Sequence, residues 1–195
     1  MFLDIDLLFT WGAIAKEYEK NEIIFEAGEH ANFYYQLIEG SVKMFNLNEE
    51  GKEFTQGVFF DGQSFGEPPL FVDDFYPSTA QTCTSSKIIK LSKDKFLKIL
   101  EEYPSYQKKF LNLMAQRNLA KAKTSRDIIN QSPEHRIICF LESKKDENSI
   151  EKKLVPYTRQ EIANFTGLRV ETVIRELSKM KKNKIVDIID HKLYY

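Results

Sequence analysis

Glu171 and Arg175 stand four positions apart, so on a helix they share one face. On a solvated surface that geometry serves a plain salt bridge. In the major groove of duplex DNA the same carboxylate accepts from a cytosine N4, and the guanidinium grips guanine O6 and N7. Arg169, within a helical turn of Glu171, reaches a base or a phosphate. Thr158, Arg159 and Gln160 open an earlier helix, where free backbone N–H groups and side chains hold phosphate oxygens. Asp190-His191-Lys192 interrupts two apolar runs, Ile185–Ile189 and Leu193–Tyr195, and reads as a β-hairpin turn that touches the backbone through His191 and Lys192.

These groups must be carried by two short helices and a wing. Thr158-Arg159-Gln160-Glu161 fits a capping box, in which the Thr hydroxyl and the Glu carboxylate satisfy each other's orphan N–H groups at a helix start. Ile162 and Phe165 supply the apolar side, Ala163 permits close approach, and Gly167 takes the left-handed conformation that ends the helix. A second helix from Arg169 to about Lys182 turns Val173 and Leu177 toward the first. The spacing fits a helix-turn-helix and also an ordinary helical hairpin; the polar side chains exposed on the second helix favour the former. Upstream, Ser132 and Pro133 open a helix with Ile137, Ile138, Phe140 and Leu141 on its apolar face, and the polar stretch Lys144–Lys153 reads as a loop.

Charge divides the chain. Net charge is -1 over 195 residues, yet residues 1–104 hold 9 Lys against 18 Asp and Glu, whereas residues 105–195 hold 19 Lys and Arg against 11 acids. Only the back half, at +8, suits a polyanion. All six arginines lie at or beyond Arg117. No run approaches the roughly 18 apolar residues of a membrane span, and Asp4 and Asp6 break up an N-terminal stretch read as a packing segment rather than a signal peptide. The expected compartment is the cytoplasm. Cys83 and Cys139 and the three histidines are scattered, without metal-ligand spacing; two buried thiols are the plainer reading beside a disulfide. His30 as a haem ligand stands against an exposed loop histidine. An enzyme is excluded, since no His or Cys is placed with a partner for nucleophilic chemistry and no glycine-rich phosphate loop precedes a helix.

Between Glu22 and Leu91 short β-rich runs alternate with glycine turns: Glu22–Phe25, Phe33–Glu39, Ser41–Leu47, Glu53–Phe60, Ala80–Thr84 and Lys87–Leu91. They predict a compact β-roll or sandwich. Ser92 opens a short helix through about Glu102. A long helix follows from about Ser105 to Ile129, free of Gly and Pro. Its stripe of Tyr106, Phe110, Leu113, Met114 and Ala120 suits either a dimer seam or burial inside the chain.

The run TRQEIANFTGLRVETVIREL resembles the recognition motif of the Crp/Fnr family of bacterial regulators, and Glu171, Thr172 and Arg175 occupy its E-T-x-x-R positions. YYQLIEGSVKMF, EEGKEF and FGE resemble the strands, turn and phosphate-binding cassette of that family's cyclic-nucleotide-binding β-roll. The resemblance implies an α+β chain in three parts: an effector domain over 1–104, a dimerisation helix over 105–130 and a winged helix-turn-helix over 131–195. It implies a homodimer on a palindromic operator of double-stranded DNA, with RNA polymerase a further partner if the chain activates. It places an effector near Phe65, Gly66, Glu67, Ser78, Thr79 and Lys121.

Nucleotide-binding members carry an Arg beside a Ser or Thr in that cassette, but Tyr76-Pro77-Ser78-Thr79-Ala80 has none, and no alignment shift within the β-roll supplies one. Loss of such a contact costs about 2–5 kcal/mol. Where those members place a Thr-Ser pair against the adenine, this chain has Lys121-Ala122. The expectation is therefore a regulator that is not governed by ordinary cyclic AMP, with an unidentified small molecule as the only effector or cofactor implied. Glu67 reads either as a helix-start carboxylate or as a ligand contact. The rival reading is a ligand-binding or interaction module whose winged helix docks protein.

Overall fold

In the computed structural model the described residues are 2–130, 132–144 and 152–195, with side chains described for all of these but 123–130. The chain separates into two compact units, Met1–Gln116 and Arg117–Tyr195.

The first unit is two four-stranded antiparallel sheets. One runs β1 (Ile14–Tyr18), β8 (Ser86–Ser92), β3 (Phe33–Glu39), β6 (Ser64–Phe65); the other runs β2 (Ile23–Phe25), β7 (Thr79–Thr82), β4 (Ser41–Leu47), β5 (Glu53–Phe60). β3 is buried on both faces. Its inward residues Tyr35 and Leu37 face the opposite sheet, and on its other side the Tyr34 ring stacks on Phe96 of helix α3 (Lys93–Glu102) at 4.3 Å. The N-terminal segment is packed as well. Helix α1 (Ile5–Thr10) is N-capped by the Asp4 side chain, and Leu3 is tied to the fully buried Gln36, whose amide accepts from the Leu3 N–H at 3.0 Å and donates to the Leu3 carbonyl at 2.9 Å.

Two elements of this unit escape sequence patterning. β1 has an exposed, charged edge pattern with only Tyr18 buried, so it lacks the alternation that marks a half-buried strand. Helix α2 (Pro68–Val72) is a single turn with Pro at its first two positions, where the missing N–H groups cost nothing.

Helix α4 (Pro104–Asn130) begins in the first unit and carries the boundary at Gln116. Its expected apolar stripe is divided. Phe110 is buried in the β-roll core with Tyr106 and Met114 against it, stacking its ring on Phe71 at 4.9 Å and meeting Phe96 edge-on at 5.7 Å. Phe110 thus takes the inward reading, because the β-roll offers an aromatic surface that covers it, whereas Tyr106 and Met114 are only partly buried. Among the described side chains of α4, the large apolar residues left exposed are Leu111 and Leu119, 65% and 64% accessible.

The second unit contains α5 (Pro133–Ser143), α6 (Arg159–Thr166), α7 (Val170–Lys182) and the hairpin β9 (Asp187–Ile189) and β10 (Lys192–Tyr194). Its core gathers Ile137, Phe140, Leu141, Ile162, Val173, Leu177, Met180 and Leu193. Each large side chain so buried contributes roughly 1.5–3 kcal/mol of transfer free energy. Residues 145–151 of the expected Lys144–Lys153 loop lie outside the described residues.

Candidate nucleic-acid interface

The interface begins at the capping box. The Glu161 N–H donates to Thr158 Oγ1 at 3.2 Å, and the Thr158 N–H donates to Glu161 Oε2 at 2.6 Å. That pins the first turn of α6 and leaves Arg159 and Gln160 at the positive end of its dipole. Gln160 also donates to Asn164 Oδ1 at 2.9 Å. At the other end Gly167 has φ 67°, the left-handed C-cap that redirects the chain into α7 within three residues.

On α7 the buried residues Val173, Leu177 and Met180 recur at helical spacing and close against Ile162 and Ala163 of α6. The opposite face is left to Glu171, Ile174, Arg175, Ser178 and Lys179, all exposed. Arg169 is the N-cap of α7, exposed and without a side-chain capping bond; Thr172 is half-buried beside Glu171. No ion pair joins Glu171 to Arg175. The Arg175 Nε donates instead to Oε1 of Glu176 at 3.2 Å, while Lys179 Nζ holds both oxygens of that carboxylate at 3.1 Å. The two cations, Lys179 foremost, hold the Glu176 carboxyl below the ordinary glutamate range, against the opposing effect of burial.

The hairpin turns at Asp190 and His191, whose φ values of 48° and 63° are those of a mirror-image two-residue turn. Lys192, expected in the turn, is the first residue of β10 and pairs with Ile189. β10 is stitched to the segment before α6: the Val155 N–H donates to the Leu193 carbonyl at 2.8 Å, and Lys153 and Tyr195 exchange bonds of 3.0 Å. This brings together four of the residues expected to meet a backbone. Thr158, Arg159, His191 and Lys192 line one groove of about 270 Å³, floored by Leu154, Pro156 and Leu193.

Two features have no counterpart in the motif reading. Ile174 is half exposed between Glu171 and Arg175, an apolar group suited to a thymine methyl. Lys181 on α7 donates to the Ile188 carbonyl at 3.1 Å, so this basic residue braces the wing. The signal for Ile174 was available, since an apolar residue off the Val173–Leu177 face is out of phase with the core.

The residues expected around an effector lie as follows. Gly66 has φ 75°, and a Cβ there would stand 2.9 Å from the Phe25 ring. Phe65 is fully buried, with Tyr35 stacked on it at 5.6 Å and Phe25 at 6.1 Å. Tyr76 stacks on Phe25 at 3.7 Å, and burial pushes its phenol up to about 12. Glu67 is buried at the start of α2 and makes no capping bond. Ser78 is buried, and Thr79 Oγ1 accepts from the Ala27 N–H at 3.1 Å. Lys121 is exposed on α4, in the second unit. Among the described residues no helix is long and apolar enough to cross a membrane.

Comparison with known proteins agrees with this geometry. The family model described as cyclic nucleotide-binding domain matches residues 15–103, and the Crp-like helix-turn-helix domain matches residues 135–194. The chain is 28% identical to the transcriptional activatory protein AadR of Rhodopseudomonas palustris over 178 residues, 88% of this chain and 73% of that protein. It is 25% identical to the fumarate and nitrate reduction regulatory protein of Yersinia pestis over 183 residues, 89% of this chain and 71% of that one. In fold it is similar to the c-di-GMP responsive global regulator CLP of Xanthomonas campestris, with a TM-score of 0.83 at 19% identity over 97% of this chain and 96% of that one. Two domain matches in this order, relatives that are regulators rather than enzymes, and a capped helix pair ending in a wing lead to one assignment: the chain belongs to the Crp/Fnr family of transcription regulators.

Proposed function

We propose that the protein is a homodimeric, sequence-specific DNA-binding regulator, with Glu171, Thr172 and Arg175 reading base edges and Thr158, Arg159, Gln160, Arg169, His191 and Lys192 holding the backbone. The observation that carries this is the anchoring of Arg175. Its Nε is occupied by Glu176, and its terminal nitrogens take no partner among the described residues, so an exposed guanidinium is anchored at one edge with both Nη groups left to donate. Anchoring lowers the side-chain entropy lost on bidentate contact with guanine. Arg159 and Lys192, two cations brought to one groove from α6 and the wing, support this reading over protein docking.

The proposed parts are an effector domain over 1–104, a dimer helix over 105–130 and a DNA-binding domain over 131–195, and the boundary between the two compact units falls within the helix. The dimer contact rests on Leu111, Ala115, Leu119 and Ala122, exposed and spaced by fours and a three along α4. The β-roll is the effector unit, and the absence of arginine before Arg117 argues against cyclic AMP as its ligand. This reading places the protein in the cytoplasm with the chromosome, with RNA polymerase a partner if binding activates transcription.

The test is a comparison of two alanine variants on specific and random duplexes. Arg175→Ala removes about 1–3 kcal/mol of preference at one guanine position, whereas Arg159→Ala weakens binding to every sequence alike. Equal loss on both duplexes from Arg175→Ala would refute base reading.

A further inference from the structure

The wing carries an apolar face that phosphate contacts leave unexplained. Leu154 bridges antiparallel to Tyr194 of β10, and Tyr194 pairs with Asp187 of β9, so the three side chains stand in one row on one face. Lys192 and Ile189, paired with each other and two residues along from Tyr194 and Asp187, stand on that face too. Leu193 and Ile188 turn the other way, Leu193 into the core of the second unit with Ile188 packed against it. On the outward face Leu154 and Ile189 are 49% and 57% exposed.

Lys192 is exposed on the middle strand, and the two aliphatic side chains belong to the segments on either side of it. The carboxylate on this face, Asp187, is met by Lys152 Nζ at 3.0 Å, so its charge is countered locally. Leu154 and Lys192 also line the groove of about 270 Å³ with Thr158 and Arg159, so the apolar face continues into the residues assigned to the DNA backbone. A phosphate accounts for Lys192 and Arg159 but not for the exposed carbon beside them. A DNA strand presents both: anionic phosphates alternate with deoxyribose rings, whose edges are largely carbon and hydrogen. Covering such an edge with Leu154 or Ile189 takes apolar surface out of water on both partners.

We propose that the outward face of the wing is a deoxyribose-selective backbone site. Lys192 takes one phosphate, and Leu154 and Ile189 pack on the sugars flanking it. The occupant is a DNA strand and not an RNA strand, because the 2′-hydroxyl is the group that distinguishes ribose at such a contact. Pressed against Leu154 or Ile189, that hydroxyl loses its water and gains no acceptor. Charge complementarity and continuity with the groove favour a nucleic acid over an apolar protein surface, since the cations Lys192 and Arg159 border the same strip. The inference rests on the DNA-binding reading and deepens it, adding sugar identity to the base edges that α7 reads.

The test uses the intact chain and a duplex that it enriches from a random-sequence DNA pool. Single ribonucleotides are then placed in turn along the backbone of that duplex, and affinity is read by fluorescence anisotropy. The parent loses about fivefold or more at one or two neighbouring positions per half-site, and little elsewhere. Nucleotides bearing 2′-fluorine, which share the ribose pucker but bring no hydroxyl, are tolerated at those positions. Leu154→Ser and Ile189→Ser remove the ribose penalty and weaken the all-deoxy duplex about threefold. Lys192→Gln weakens deoxy and ribose duplexes alike and lowers the salt slope by about one. Ile14→Ser, exposed on β1 of the other unit, changes neither. Both wing substitutions fall at exposed positions, and thermal unfolding matched to the parent confirms that they fold. A ribose penalty unchanged in Leu154→Ser and Ile189→Ser, an equal penalty from 2′-fluorine, or no penalty at any position overturns the sugar contact and leaves the DNA reading standing. Undiminished duplex affinity in both serine variants also overturns it and assigns the face to a protein partner. A chain that enriches no duplex overturns both readings.

Discussion

Arg175 donates through Nε to the carboxylate of Glu176, its immediate neighbour, at 3.2 Å, and not to Glu171 one turn back. Glu176 is 6% exposed and accepts Lys179 as well, so it anchors two cations at the root of the outward face of α7. Glu171 is left exposed and free to accept.

Glu176→Gln removes the negative charge while keeping the shape. Its folded carboxyl lies below the ordinary value, so its stabilisation is fully present above the unfolded value of about pH 4.3 and is lost as pH falls through the depressed folded value. Urea midpoints taken at neutral pH and at about pH 3 should therefore converge for parent and variant on the acid side, the parent having lost more. In duplex binding the variant should lose guanine preference and keep its affinity for random DNA. A larger stability gap in acid than at neutrality would contradict this account.

Leu119→Lys places a charge on the exposed α4 face and leaves Phe110, Tyr106 and Met114 undisturbed. Sedimentation should show a folded monomer at concentrations where the parent is a dimer, with operator affinity falling accordingly. The same substitution at Phe110 should instead unfold the β-roll, at a cost of about 3–5 kcal/mol or more.

Gly66→Ala meets two obstacles: a left-handed φ of 75° and a Phe25 ring carbon 2.9 Å from the new Cβ. That ring is stacked on Tyr76 at 3.7 Å and cannot give way freely. Destabilisation of about 1–3 kcal/mol is expected, read from thermal unfolding of the β-roll.

His191→Gly relieves a side chain held at φ 63° in the wing turn, which should stabilise the second unit by about 1 kcal/mol. The same variant should weaken binding to all duplexes slightly, because a backbone contact goes with it. If DNA affinity is untouched, His191 takes no part in the interface.

The residues themselves determined what depends on neighbours in the chain. Thr158 and Glu161 are three apart and so can close a capping box in any context; Gly167 permits a positive φ, and β3, β4 and β5 start and stop at their own turn signals. The Glu171–Arg175 spacing put both on one face for the same reason. Tertiary structure decided everything that depends on which surface becomes covered. Phe110 and Leu111 are adjacent apolar residues on one helix, yet only Phe110 meets an aromatic wall, because Phe71 and Phe96 are delivered by α2 and α3. β1 became a strand through pairing with β8, seventy residues away, without a pattern of its own. Arg175 likewise had two carboxylates within reach, and its pairing with Glu176 left Glu171 exposed. Residue type and spacing set which bonds within four residues are possible, whereas burial, and with it the pairing of Arg175 with the buried Glu176 rather than the exposed Glu171, depends on surfaces that exist only once distant segments have met.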